Sequence, residues 1–178
     1  MASRPFCTGR KGPRLRRSSL RHDGLNVKIW IDADACPGAV KEIVFRAAER
    51  LGIQAVVVAN QVIRVPDSPL ISTVVVSKNF DAADDHIAAE ASAADVVITA
   101  DVPLASRVVS AGSVAIDPRG EVYDEENIGE RLSARNLMNE LRSGGLVQGG
   151  PREMEATDTH KFASALDREL TRRTKNNE

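Results

Sequence analysis

The sequence has few cysteines, few aromatic residues and no long apolar segment. Its 178 residues include two cysteines, Cys7 and Cys36, and only four Phe, one Tyr and one Trp. Two cysteines are too few for a disulfide framework, so we expect a protein of the reducing cytoplasm. So few aromatic rings leave little from which to build a stacking platform for single-stranded nucleic acid. Without an apolar run of roughly 20 residues, no segment is predicted to span a membrane.

Charge is distributed unevenly along the chain. Residues 1–26 hold seven of the 24 Lys and Arg and one acid, Asp23, which gives +6, whereas the remainder holds 17 basic and 24 acidic residues, which gives −7. An acidic body argues against broad neutralisation of duplex DNA phosphates. Because residues 1–26 are rich in Arg, Pro, Gly and Ser, we predict either that they form a disordered tail or that the start of the protein has been assigned too far upstream. The alternative is an arm that contacts nucleic acid.

An apolar run that stops at two carboxylates begins the remaining sequence. Residues 27–31 are followed by Asp32 and Asp34, and a helical pattern then runs from Pro37 to Leu51. In an open α/β sheet, ligands bind beyond the carboxyl ends of the strands, where both carboxylates would lie. Two close carboxylates repel each other, so this spacing indicates a bound cation. The alternative is that Asp34 only caps the helix.

Short β-branched runs alternate with helical patterns after this first unit. The alternation predicts an α/β fold, namely a Rossmann-like three-layer sandwich with a mostly parallel sheet in the strand order 3-2-1-4-5. Residues 27–178 are predicted to form one domain with C-terminal helices, joined by a glycine-rich connector over residues 144–151. The predicted strands cover residues 27–31, 54–59, 72–76, 95–99 and 113–116, and the predicted helices cover residues 38–51, 81–93, 103–111, 127–143 and 158–173.

Acidic residues fall repeatedly at one edge of the predicted sheet. Asp32 follows strand one, Asp101 follows strand four, and Asp84 lies on the helix before strand four, with Asp81 as the predicted N-cap of that helix. Acids in a first helical turn are also favoured by the macrodipole alone. Mg²⁺ and Mn²⁺ prefer carboxylate oxygens, and acid clusters that hold them assist phosphodiester hydrolysis. We therefore predict catalytic roles for Asp32, Asp84 and Asp101, and a metal site made of these three with Asp34 and Asp81.

Several short motifs resemble one known family. The chain reads Ile-Asp-Ala-Asp-Ala-Cys-Pro at 31–37, Val-Ala-Asn-Gln and Arg-Val-Pro within 58–66, Phe-Asp-Ala-Ala-Asp at 80–84, Ile-Thr-Ala-Asp-Val-Pro-Leu-Ala at 98–105, Pro-Arg-Gly at 118–120 and Gly-Gly-Pro at 149–151. From residue 27 to about residue 170 the sequence resembles the YaiI/YqxD family of bacterial proteins. That family is placed among PIN-like domains, which implies a Rossmann-like sheet with an acidic, metal-binding nuclease site.

The resemblance implies a role for each of three acids. Asp32 resembles the strand-one acid of PIN domains, Asp84 the helical acid and Asp101 the strand-four acid. The chain also departs from the PIN pattern. Glu42 is only a candidate for the second helical acid, and the Val-Pro-Leu that follows Asp101 lacks the further acid and aromatic residue of many PIN nucleases. The function implied is hydrolysis of RNA phosphodiesters with Mg²⁺ or Mn²⁺ as cofactor.

Two other classes of protein remain open. A haloacid-dehalogenase-like phosphatase also begins with a strand and Asp-x-Asp, and it would use Ser77 and Lys78 together with a later acidic pair, but no second acid closely follows Asp101. A non-catalytic module that binds RNA or a nucleotide would instead use a basic rim. Three acids around one point would favour the metal enzyme, whereas scattered acids within a basic rim would favour the binding module. The predicted phosphate-binding residues are Asn60, Arg64, Lys78 and Arg119, with Arg107 added for the binding module.

Cys36 is the one thiol near the predicted site. A thiol at a helix N-terminus can have a lowered pKa, but Asp32 and Asp34 would oppose formation of a thiolate. We therefore predict that Cys36 is a small packed residue of the turn. The cysteines and three histidines show no zinc-ligand spacing.

Overall fold

β1, Lys28–Asp32, lies in the interior of a six-stranded sheet. The computed structural model describes residues 27–79, 81–146 and 152–175. Strands β1 to β5 are parallel, and β6 pairs antiparallel with β5. The order β3-β2-β1-β4-β5-β6 confirms the predicted order and extends it by one strand. The other strands are β2 (Gln54–Ala59), β3 (Ile71–Val75), β4 (Val96–Ile98), β5 (Val114–Ile116) and β6 (Val122–Tyr123).

Helices cover both faces of the sheet. Side chains alternate along β1, so Ile29 and Ile31 pack with α1 and α5 on one face, while Trp30 packs with α2, α3 and α4 on the other. This is the predicted Rossmann-like α/β sandwich. No helix in the described ranges combines the length and the apolar composition that crossing a bilayer requires. The helices are α1 (Gly38–Leu51), α2 (Ala82–Glu90), α3 (Val102–Ser110), α4 (Ile128–Ser143) and α5 (Ala156–Lys175).

Neither α1 nor α2 begins with a side-chain capping hydrogen bond. Pro37, not Asp34, is the N-cap residue of α1. Asp81 is the N-cap residue of α2, as predicted, but its backbone is left-handed, with φ of 63°, and its side chain makes no capping hydrogen bond. An N-cap side chain reaches the helix from an extended backbone, which Asp81 does not have. The predicted tail, residues 1–26, and most of the glycine-rich connector lie outside the described residues.

One turn, residues 92–95, anchors the beginning of β1 and the end of α5. The buried Asp95 carboxylate accepts hydrogen bonds from the Lys28 backbone N–H at 2.8 Å and from Trp30 Nε1 at 3.1 Å. Arg173 Nη1 donates to the Ala93 carbonyl at 2.7 Å. Both ends of the described chain are therefore tied to the edge of the sheet at which β4 begins.

The turn between β5 and β6 packs closely against α5. A Cβ added at Gly120, where φ is 88°, would lie 2.5 Å from the Lys161 carbonyl carbon, so only glycine allows this approach. Asp158, 1% exposed, accepts hydrogen bonds from Arg119 Nη1 at 3.2 Å and from Arg152 Nη2 at 2.6 Å. These bonds hold the beginning of α5 against the sheet.

Candidate active site

A cavity of about 730 Å³ opens at the edge of the sheet where β1 and β4 end. Its walls come from the segments after β1, β2 and β3 and from α2, α3 and α4. The structure brings all five predicted acids to this cavity, together with three basic residues. The charged lining residues are Asp32, Asp34, Lys78, Asp81, Asp84, Asp101, Arg107 and Arg135, and Asn60 also lines the cavity.

The Thr99 hydroxyl links the two acids that follow β1 and β4. Ile31 is paired with Ile98 in the parallel register, so the next residues, Asp32 and Thr99, lie side by side. Thr99 Oγ1 donates to Asp32 Oδ2 at 2.8 Å and accepts from the Asp101 backbone N–H at 3.0 Å. Both Asp32, 4% exposed, and Thr99 are buried, so this hydroxyl fixes the Asp32 carboxylate and the start of the loop that carries Asp101.

Asp101 is both a wall of the cavity and the N-cap of α3. Its Oδ2 accepts from the Leu104 backbone N–H at 3.0 Å, and Pro103 occupies the first turn, where a missing N–H costs nothing. Its Oδ1 lies 3.7 Å from Arg135 Nη2 of α4. Because the cap fixes one oxygen, only the other faces a partner in the cavity.

Asp84 is close enough to the other acids to be affected by their charges. Its pKa is raised to about 6, mainly by burial and then by the charges of Asp32, Asp101 and Asp81 in that order, while Arg107 opposes the shift. Burial also raises the pKa of Asp32, although hydrogen bonds from Thr99 and the Ala35 backbone lower it. Like charges that share a cavity disfavour joint ionisation, so the cavity favours a positively charged occupant or a proton.

The predicted phosphate-binding residues are divided by the structure. Asn60 and Lys78 line the cavity, and the Asn60 backbone N–H donates to Asp34 Oδ2 at 3.3 Å. Arg64 is exposed in the loop after β2 and does not line the cavity. Arg119 lies in the turn after β5, and its guanidinium donates to Asp158 and to backbone carbonyls near the start of α5. Arg119 therefore does not line the cavity.

The acids have the right donor chemistry for a divalent cation but are not gathered into a preformed centre. Carboxylate oxygens are the ligands that Mg²⁺ and Mn²⁺ prefer, and Asp32, Asp84 and Asp101 come from three separate elements around one cavity. Within residues 27–79, 81–146 and 152–175, no group of three or more His, Cys, Asp or Glu is close enough to hold a metal ion. The side chains would have to converge for three of them to bind one cation.

Two residues of the site escape prediction from the sequence. Thr99 reads as an ordinary β-branched strand residue, and nothing in the pattern marks its hydroxyl. Arg135 lies on the same side of α4 as the buried Ile128 and the half-buried Leu132, because Leu132 follows Ile128 by four residues and Arg135 follows Leu132 by three. A charged residue within the apolar stripe of an amphipathic helix is the signal that could have identified Arg135.

Two chemical alternatives receive no support from the cavity. Cys36 is 5% exposed, and burial raises its pKa to about 12, which confirms the prediction of a packed residue and argues against a thiolate nucleophile. Among the described residues that line the cavity, none after Asp101 is acidic. The later acidic pair that a haloacid-dehalogenase-like phosphatase needs is therefore missing from this lining.

Comparison with known proteins identifies the family. A family model described as "Uncharacterized BCR, YaiI/YqxD family" matches residues 30–172. A UPF0178 protein of Geobacter metallireducens is 60% identical over 146 residues, which are 82% of this chain and 94% of that protein. A UPF0178 protein of Geobacter sulfurreducens is 56% identical over 147 residues, 82% of this chain and 97% of that protein. No solved structure matches. The resemblance predicted from the motifs is confirmed, and the chain belongs to the YaiI/YqxD family.

Proposed function

We propose that this protein hydrolyses phosphodiester bonds, with RNA as the substrate to test first, and that Mg²⁺ or Mn²⁺ is its cofactor. The observation that carries the proposal is that Asp32, Asp84 and Asp101, from β1, α2 and the β4–α3 junction, line one cavity. These acids lie at the carboxyl ends of parallel strands, which is the edge of the sheet where α/β proteins bind their ligands.

The charge of the cavity supports a bound cation. Five carboxylates face three basic side chains there, so the net negative charge of the lining weakens phosphate binding by the protein alone. A divalent cation between carboxylates and phosphate would offset that negative charge. It would also remove the mutual repulsion of the acids, which contributes to the raised pKa of Asp84.

The chain's own residues have separate roles in this proposal. Asp32, Asp84 and Asp101 would hold the cation, which supplies Lewis acidity and lowers the pKa of a bound water. Thr99 keeps Asp32 aimed at the cavity through its 2.8 Å hydrogen bond. Lys78 and Arg107 line the same cavity and would take the charge of the phosphate.

Replacing Asp101 by Asn tests the proposal without disturbing the fold. Asn is as good an N-cap as Asp, so α3 keeps its hydrogen bond from Leu104, while the cavity loses one ligand charge. Calorimetric titration with Mn²⁺ should show weaker binding by Asp101→Asn. A screen of pooled RNA and single-stranded DNA should show cleavage by the wild type and a loss of at least about 100-fold in the variant.

The matched control is Asp67→Asn, which removes an exposed acid that does not line the cavity. It should bind Mn²⁺ and cleave as the wild type does. Absence of Mn²⁺ binding to the wild type at millimolar concentration would refute the metal-dependent nuclease.

A non-catalytic module that binds RNA or a nucleotide is the second candidate. The observation that favours it is the lack, among the described residues, of three acids already gathered for a metal. Lys78, Arg107 and Arg135 would then bind phosphate directly. RNA binding in EDTA, without cleavage in Mn²⁺, would favour this module over the nuclease.

A further inference from the structure

Arg135 is a basic residue placed directly beside a proposed catalytic acid. It lies on α4, which packs against α3, and it lines the cavity. Its guanidinium lies 3.7 Å from Asp101 Oδ1, and its side chain is 39% exposed. This distance allows an ion pair but is longer than a hydrogen bond, so the guanidinium is attracted to Asp101 by charge and is not fixed by a hydrogen bond to it.

The two partners of this ion pair are not equally free to move. Asp101 is fixed through its other oxygen, which accepts from the Leu104 N–H at 3.0 Å, and through its backbone N–H, which donates to Thr99. Arg135 has a long, partly exposed side chain. If the pair opens, the guanidinium moves and the carboxylate stays.

The other basic residues of the cavity differ from Arg135. Arg107 Nη2 is held at 2.8 Å by Asp85, which does not line the cavity. Lys78 offers a point charge, whereas a guanidinium binds two phosphate oxygens at once. Of the two arginines that line the cavity, Arg107 is paired with Asp85, whereas Arg135 is paired with the proposed catalytic acid Asp101.

We propose that Arg135 is a phosphate-binding residue of this site and that Asp101 holds it until a phosphodiester enters the cavity. The inference rests on the proposed function only in requiring that the cavity binds a phosphodiester. When the phosphate arrives, the guanidinium leaves Asp101 Oδ1 for the phosphate oxygens, and no covalent bond changes. Asp101 is then left with an oxygen that is free of its basic neighbour.

A double-mutant cycle in EDTA tests this exchange without any metal. The probe is a fluorescein-labelled single-stranded oligouridine of about 12 nucleotides, and its binding is followed by anisotropy at low salt. Arg135→Gln should weaken binding about 10-fold. Asp101→Asn should strengthen binding several-fold, because it keeps the helix cap and releases the guanidinium. In the Arg135→Gln background most of that gain should disappear, since no guanidinium remains to be released.

Arg142→Gln is the charge-matched control. It lies on α4 seven residues beyond Arg135, on the same side of the helix, and does not line the cavity. It should change binding less than about 2-fold. Arg135→Lys should restore only part of the affinity, because a lysine lacks the two-pronged geometry.

Three results would overturn the inference. These are no oligouridine binding by the wild type, equal losses in Arg135→Gln and Arg142→Gln, and an Asp101→Asn gain that is the same with and without Arg135. The proposed hydrolase is judged separately by Mn²⁺ binding and cleavage. A coupling between Arg135 and Asp101 without cleavage would reject the hydrolase and keep the inference, and cleavage without coupling would do the reverse.

Discussion

At the scale of single residues, the Thr99 hydroxyl connects the two acids that end β1 and β4. Thr99→Val keeps the shape of the side chain but removes the donor to Asp32 and the acceptor for the Asp101 N–H. The Asp101 N–H then loses its acceptor, and Asp32 keeps only the hydrogen bond from the Ala35 backbone, so we expect a loss of about 1–3 kcal/mol in the free energy of unfolding. The pKa of Asp32 should rise further, because Thr99 lowers it in the wild type. Urea unfolding and NMR titration measure the two effects.

Thr99→Ser provides the control, since it keeps the hydroxyl and loses only a methyl group. It should retain most of the wild-type pKa of Asp32. Equal behaviour of the Val and Ser variants would contradict the role of the hydroxyl.

Asp84 should make the protein less stable as pH rises, whereas an acid in a salt bridge makes a protein less stable as pH falls. Its pKa is about 6 in the folded protein against an ordinary 3.8, so the folded state holds a proton that the unfolded chain has released. Between about pH 4 and pH 6 the free energy of unfolding should therefore fall as pH rises. Because Asp84 is partly solvated, we expect Asp84→Asn to stabilise the metal-free protein by about 1 kcal/mol at neutral pH.

The measurement for Asp84→Asn is urea unfolding in EDTA at about pH 7 and below about pH 3.8. The gain should be present at the higher pH and absent at the lower one. A gain of the same size at both pH values would mean that charge repulsion in the cavity is not its source.

At the scale of elements, the beginning of α5 depends on one buried carboxylate. The hydrogen bond from Arg152 lowers the pKa of Asp158 to about 2, with the Glu155 N–H contributing next. A depressed pKa stabilises the fold above the ordinary value of 3.8, and this stabilisation is lost as pH falls toward 2. Asp158→Asn should lower stability at neutral pH and flatten the acid limb of the unfolding curve. Circular dichroism during acid titration follows this, and an unchanged acid limb would contradict it.

The sequence predicts elements better than it predicts the partners of side chains. Strands and helices follow from hydrophobic periodicity, because burial against the sheet requires it. The hydrogen bonds of the Arg119 side chain do not follow from periodicity, because they depend on the sharp turn before Gly120 and on an acid 39 residues further along the chain. The missing capping hydrogen bond of Asp81 is a similar case, because it accompanies a left-handed backbone that the sequence pattern does not reveal. Asp32, Asp84 and Asp101 were predictable as neighbours because strand order alone brings their elements together.

At the scale of the whole molecule, a cation that binds the folded cavity should stabilise the entire fold. Ligand at about ten times its Kd adds roughly 1.4 kcal/mol to the free energy of unfolding, or about 3–5 °C in Tm for a chain of this size. We expect Mn²⁺ to raise Tm by this amount and EDTA to reverse the rise. Asp32→Asn should abolish the shift. A shift that persists in that variant would place the cation elsewhere.

The turn at residues 92–95 has a practical consequence for how the protein can be attached to a surface. Lys28 and Arg173 are both bonded to this turn, which precedes β4, whereas the acids lie where β1 and β4 end. Parallel strands carry their two ends to opposite edges of a sheet, so the described chain begins and finishes away from the cavity. A biotin handle or a sensor-chip linkage at residue 27 or residue 175, the two ends of the described chain, would leave the mouth of the cavity facing the solution. Immobilised protein is therefore suited to real-time measurement of oligonucleotide capture.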